Sequence, residues 1–266
     1  MNDLRLLARY LDISVRSQLE YRASFVMLSV GYLLITVIEF LSVWVLFDRF
    51  GNLQGWSLPE IAFFYGIINI AFALGESAAR GFDLFSPVIK SGDFDRLLLR
   101  PRSTALQVAG QELTLRRVGR LLQGACVLGW SASALGLQWS TGQWLLLGWT
   151  LLGGTCLFYG LMVIQGTVCF WTTESLEFMN AFTNGGVFAA QYPFSIYRDW
   201  FRRFFTFGVP LACVSYYPAL ALQGRPDPLG TPALLHWLAP LVGLLFLALC
   251  LQAWHWGVRH YRSSGS

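Results

Sequence analysis

The chain contains one lysine, Lys90, and Ile89 precedes it. A phosphate-cradling P-loop needs glycine immediately before its lysine, so that backbone N–H groups can close on the phosphate. The sequence therefore lacks a Walker A motif, and any ATP hydrolysis must come from another chain. His236, His255 and His260 sit at or near the ends of the last apolar stretch, with no HExxH pattern and no cysteine partner. Zinc hydrolysis is left without a ligand set. No GxSxG is present for a serine nucleophile. Cys126, Cys156, Cys169, Cys213 and Cys250 lie far apart in apolar segments, without metal or redox spacing. They read as small buried hydrophobes. The chain is read as a non-enzyme.

Carboxylates inside apolar stretches are the remaining chemical candidates. Glu39 falls about two-thirds along the first stretch, Glu76 near the end of the second, and Glu174 and Glu177 at a turn between two later ones. Ionisable groups at membrane depth are costly and face the protein interior. Two readings of Glu39 stay open: a group on a substrate or proton path, or a structural bond to a neighbouring helix. Glu76, Glu174 and Glu177 read as helix ends reached by solvent. A proton-coupled transporter needs more than one buried charge, which counts against that class.

The elements that must hold these groups follow from composition. Hydrophobic residues make up 55% of the 266 residues and charged residues 13%, against about 25% charged in a soluble domain. Such a chain is solvated by lipid, which excludes a soluble enzyme, a secreted disulfide scaffold and a disordered tail. The net charge of +4 suits an anionic membrane surface, and no basic cluster is dense enough for nucleic acid. A bilayer core takes about 20 apolar helical residues. Six segments approach that length, at roughly 24–47, 58–79, 118–137, 143–171, 178–195 and 233–257. Alternating ten-residue strands are absent, so the fold class is all-α membrane protein with six transmembrane helices.

With the N-terminus in the cytoplasm, five of the 19 basic residues fall outside: Arg49, Arg198, Arg202, Arg203 and Arg225. The other fourteen fall inside, which the positive-inside rule favours. Both termini are then cytoplasmic. Leu4, Leu7, Leu11, Val15 and Leu19 oppose Arg5, Arg9, Asp12, Arg16 and Glu20, so residues 1–22 predict an amphipathic interfacial helix leading into the membrane domain of 23–266. A helix packed on a soluble partner is the alternative.

Two regions stand out between the spans. After the second span, Pro87, Gly92 and Pro101 cut residues 80–120 into short pieces. Asp93 is a candidate N-cap for a charged helix to Arg100, with Arg96 and Arg100 on one side and Leu97 opposite. Such a helix could transmit force to a soluble partner; a loop anchored on headgroups is the other reading. After the fifth span, residues 197–222 combine Arg198, Asp199, Arg202 and Arg203 with an aromatic flank and a short apolar stretch of about 14 residues. Two short re-entrant helices before the sixth span are predicted, with an extra pair of full spans as the rival.

This layout resembles the membrane subunits of type-2 ABC exporters. The sequence is similar to a bacterial branch of ABC-2-type permeases through SGDFDRLLLRP at 91–101 and YPFSIY with YYPALALQG within 192–224. The resemblance covers essentially the whole chain. It departs at Arg198–Asp199, where proline would follow Tyr197. The resemblance implies a cytoplasmic coupling helix within 80–103 that docks on a separate ABC ATPase, with Phe82, Asp83, Lys90, Asp93, Phe94, Asp95 and Arg96 as contact residues. It implies a second related permease as homo- or heterodimer, and a bacterial inner-membrane location. The path, for which Glu39 and Glu76 are candidates, would lie at the permease interface. A gate would be built around Tyr197, Arg198, Trp200, Tyr216 and Tyr217. No cofactor is implied in this chain, ATP and Mg belonging to the partner ATPase. The transported class would be amphipathic, lipid-like or polysaccharide. An ion-coupled secondary transporter and a membrane scaffold or regulatory subunit are the rival functions.

Overall fold

The computed structural model describes residues 10, 12–14, 16–18, 20, 22–111, 117–172 and 178–262. Among these the regular structure is helical, apart from one bridge between Leu53 and Trp56. The long helices are α1 (Arg22–Phe50), α2 (Leu58–Asp83), α6 (Val118–Ala134), α7 (Thr141–Thr172), α8 (Phe178–Ala190) and α13 (Leu241–His260). Between α2 and α6 run the short helices α3 (Phe85–Lys90), α4 (Phe94–Leu98) and α5 (Thr104–Gln111). Between α8 and α13 come α9 (Asp199–Arg203), a π-turn over Phe204–Gly208, α10 (Leu211–Val214), α11 (Tyr216–Gln223) and α12 (Ala233–Leu238).

α2 is the axis. Its most apolar window is 78% buried, against 17% for α1. It lies between α6 and α7, α13 covers the other side of α7, and α1 leans on α6 from outside. The first turn of α2 is set locally: the Ser57 N–H and hydroxyl both donate to Glu60 Oε2, at 2.7 and 2.8 Å. Pro59 sits where a helix needs no N–H donor. α7 and α13 meet closely because Gly243 has no side chain. A Cβ there would overlap the Gly153 carbonyl, and small residues at such crossings let helix backbones approach.

Four helices are long and apolar enough to cross a membrane: Ala23–Phe50, Leu58–Lys90, Thr141–Thr172 and Leu241–His260. A fifth is reached if the pair Asp199–Gly208 and Leu211–Gln223, bent by 73°, counts as one broken span. The third and fifth predicted spans correspond to α6, with 17 residues, and α8, with 13. The predicted sixth span, 233–257, is divided: α12 ends before Ala239–Pro240 and the long helix starts at Leu241. The fragment of residues 1–22 that is described includes an exposed Arg16–Asp12 pair at 3.0 Å; the remainder of the predicted amphipathic helix lies outside the described residues, as do Glu174 and Glu177.

Candidate functional site

The stretch from α2 to α5 is a folded cap on one end of the bundle. Gly92, at φ 74°, supplies the left-handed turn that reverses the chain between α3 and α4. Phe85, Ile89, Phe94 and Leu97 turn inward and are buried. Phe94 packs edge-on to Phe85 at 5.2 Å and to Tyr261 at 5.0 Å between ring centroids. Trp254 of α13 lies 5.0 Å from each of Phe82, Phe85 and Phe170. Its indole N–H donates to Thr104 Oγ1 at 3.0 Å. One aromatic cluster thereby joins α2, α3, α4, α7 and α13. Gln107 closes the cap from α5 by donating to the carbonyls of Leu97 at 3.1 Å and Arg102 at 3.2 Å.

Of the contact residues named from the resemblance, Lys90, Asp93 and Arg96 are exposed, and Asp83 and Asp95 are half-buried. Phe82 and Phe94 have no exposed surface. Both rings lie inside the aromatic cluster, where they anchor the cap. Asp93 stands before α4, but its carboxylate does not cap the helix. It accepts from the Ser91 hydroxyl at 2.7 Å and faces Arg96 at 3.3 Å. Sequence reasoning overlooked Leu99, 85% exposed beside Leu98 and Arg100. The run of three leucines held the signal, since only Leu97 has room inside.

Directly beneath the cap lies an ion network. Arg117 donates to Glu76, and Arg80 bonds Asp83 while standing 3.7 Å from Glu76. Gln165 of α7 donates to Asp83 Oδ1 at 2.7 Å. Arg120 reaches Glu39 of α1 at 3.3 Å. The guanidinium groups also lie on aromatic faces, Arg117 over Tyr32 at 4.2 Å and Arg120 over Phe72 at 5.0 Å, a cation–π contact that offsets part of their desolvation. Glu76 is only 4% exposed. The solvent-reached helix end read from the sequence is therefore incorrect: Arg117, at the start of α6, pairs with the carboxylate. Of the two readings of Glu39, the one in view is a bond to a neighbouring helix.

The opposite end of the bundle holds the residues read as a gate. Arg198 takes an extended conformation and α9 starts at Asp199, so the helix begins where the sequence departs from the resemblance. Tyr197 donates to the Ala189 carbonyl at 3.1 Å and its ring is 4.7 Å from Phe201. Arg198 and Trp200 are exposed, whereas Tyr216 and Tyr217 are buried. Tyr216 donates to Asp227 Oδ1 at 2.7 Å, Thr231 donates to the other carboxylate oxygen, and the Leu229 N–H donates at 3.0 Å. Burial alone would raise the Asp227 carboxyl. The bonds from Thr231, Leu229 and Tyr216 outweigh it and hold the carboxyl below its ordinary value. His236 Nε2 is 2.8 Å from Thr231 Oγ1, and its ring stacks on Tyr217. Nearby, Arg225 pairs with Glu60 and lies 3.7 Å above Trp56, tying this loop to the start of α2. Sequence reasoning did not find the Asp227 network, because its members are scattered over a turn-rich stretch without a motif.

Among the described residues there is no group of three or more His, Cys, Asp or Glu placed to hold a metal. No curated protein and no solved structure matches the chain. A family described as ABC-2 family transporter protein matches over residues 33–265, a range that takes in the buried cap, the ion network and the tyrosine-rich end. With four helices long and apolar enough to cross a membrane among its described residues, and the family matched over most of its length, the chain belongs to the ABC-2 transporter family.

Proposed function

We propose that this chain is the permease subunit of an ATP-binding cassette exporter, with its energy supplied by separate ATPase subunits. The observation that carries this reading is the cap over 85–99. It is anchored by buried aromatics into three long helices, and it presents Lys90, Asp93, Arg96 and Leu99 outward. A rigid charged surface of this kind transmits a push into α2, α7 and α13 without first deforming itself. In this reading α6 and α8 complete six spans with thinner lipid contact, and both termini and the cap face the cytoplasm of a bacterial inner membrane. A second related permease shares the path, and the 197–222 region closes its outer end.

ATP binding to the ATPases then favours one of two permease states, and only its differential affinity for the two can move the equilibrium. The paired state of Glu39 and Glu76 supports this reading over an ion-driven transporter, since each carboxylate is already matched by an arginine. The substrate class of this reading is amphipathic, lipid-like or polysaccharide.

The test is the double variant Asp93→Ala, Arg96→Ala in the assembled transporter, reconstituted into vesicles. Loss of contacts at an interface centre costs more than about 1 kcal/mol each, so ATP-driven export should fall about tenfold or more with the chain still inserted. Unchanged export with unchanged assembly would overturn the coupling role. Isolation of this chain alone, active on an ion gradient, would overturn the exporter reading.

A further inference from the structure

A cavity of about 960 Å³ opens on the side of the bundle, between α13 and the α9–α12 region, with Ile164 of α7 at its floor. Its volume is at the upper end of small-ligand pockets. One wall is a stripe of α13, Leu241, Leu245 and Leu249, at four-residue spacing and 43%, 55% and 62% exposed. From Leu241 to Ala253 the wall spans thirteen residues, about 18 Å of helix, more than half of a bilayer core of about 30 Å.

The polarity of the cavity is divided along its length. Its hydroxyls, Thr206, Tyr217 and Thr231, all come from the region preceding α13. Thr206 donates to the Arg202 carbonyl at 2.8 Å, Tyr217 stacks on His236, and Thr231 is held by Asp227 and His236. This is the end of α13 remote from Trp254 and the cap. Arg203, exposed three residues before Thr206, makes no ion pair among the described residues. Beyond the hydroxyls the α13 wall is aliphatic. Water finds no hydrogen-bond partners along an aliphatic wall, whereas an acyl chain gains dispersion contacts along it.

We propose that the cavity is a binding site for one membrane phospholipid of the leaflet remote from the cap. An acyl chain lies along Leu241–Ala253, the ester region meets the Thr206, Tyr217 and Thr231 hydroxyls, and the phosphate is drawn to Arg203. The lipid is a resident ligand that fills the space between α13 and the bent pair. The site does not depend on the coupling of this chain to an ATPase.

The test uses the full chain in its native assembly, in nanodiscs that include phosphatidylethanolamine with a photoactivatable group on its acyl chain. After illumination, adducts are mapped by peptide mass spectrometry. Adducts on Cys213, Leu245 and Leu249 should exceed those on Val45, a lipid-facing residue of α1 that is 64% exposed. Leu245→Trp fills the cavity from a half-exposed position that tolerates size, and should bring the Cys213 adducts down to the Val45 level. Arg203→Gln should lower adducts at Cys213 while leaving Val45 unchanged. Equal adduct levels at the cavity and on α1 in the native chain would overturn the proposal. So would copy-to-copy crosslinks through Leu245 in place of lipid adducts, since a second copy would then cover the groove.

Discussion

The Trp254 indole N–H donates to Thr104 Oγ1 at 3.0 Å across 150 residues of sequence. The bond joins the last membrane helix to the helix that closes the cap, while the buried indole ring contacts Phe82 and Phe85. Removing the bond alone and removing the ring have separable costs. Trp254→Phe and Thr104→Val should each lower stability by about 1 kcal/mol, with the double variant no worse than either. Trp254→Ala should cost about 3–5 kcal/mol through the void it leaves. Unfolding in mild detergent measures all four, and independent, additive losses for the pair would show that the bond is not shared.

The Glu76–Arg117 pair yields a second prediction. Both side chains are largely withdrawn from solvent, at 5% and 17% exposure. Breaking a buried pair leaves one charge uncompensated, a loss of about 3–5 kcal/mol. Glu76→Gln and Arg117→Met should each destabilise on that scale, and the double variant should regain most of it. Arg80, which also faces Glu76, should soften the Arg117→Met effect relative to Glu76→Gln. Equal stability of the single and double variants would contradict a coupled network.

Close backbone approach provides a third. A Cβ on Gly81 would overlap the Val108 carbonyl, where α5 crosses α2 beneath the cap. Gly81→Ala should cost about 1–3 kcal/mol by overpacking and should increase protease cleavage near Pro101. Gly148→Ala, with open space around its Cβ, is the control and should leave both measurements at the native level.

Asp227 connects the outer network to pH. Its carboxyl is held below the ordinary value, so its contribution is fully present above the ordinary carboxylate range and is lost as pH falls through the lowered one. The protection factors of the Leu229 and Thr231 amides, both donors to Asp227, that is, their exchange relative to the intrinsic rate at each pH, should be high near neutral pH and fall in acid. Asp227→Asn should flatten that pH dependence. Protection factors that stay constant into acid in the native chain would remove Asp227 as their cause.

The long helices and the family were legible because lipid imposes a one-dimensional rule. A helix in a bilayer must be long, apolar and internally bonded, and the 55% apolar content can be parsed into such stretches without knowing their neighbours. The cap was legible as a break pattern, since Pro87, Gly92 and Pro101 restrict the backbone wherever they stand. The helix starting at Leu241 departed from the reading because Pro240 was hidden inside an apolar run.

Contacts were another matter. Nothing near Glu76 in the sequence names Arg117, and nothing near Phe94 names Trp254 or Tyr261; these pairs are 41, 160 and 167 residues apart. A charge at a helix end looks solvated until the chain that folds over it is known, and an aromatic ring in a surface motif looks exposed until its pocket is seen. The sequence by itself determined that its one lysine, Lys90, stands after Ile89 and not after the glycine that a P-loop lysine needs. Only the tertiary structure decided which charges are paired, which rings anchor the cap and where an apolar cavity opens beside α13. Those depend on which helices become neighbours, and helix neighbours are chosen by packing across the whole bundle.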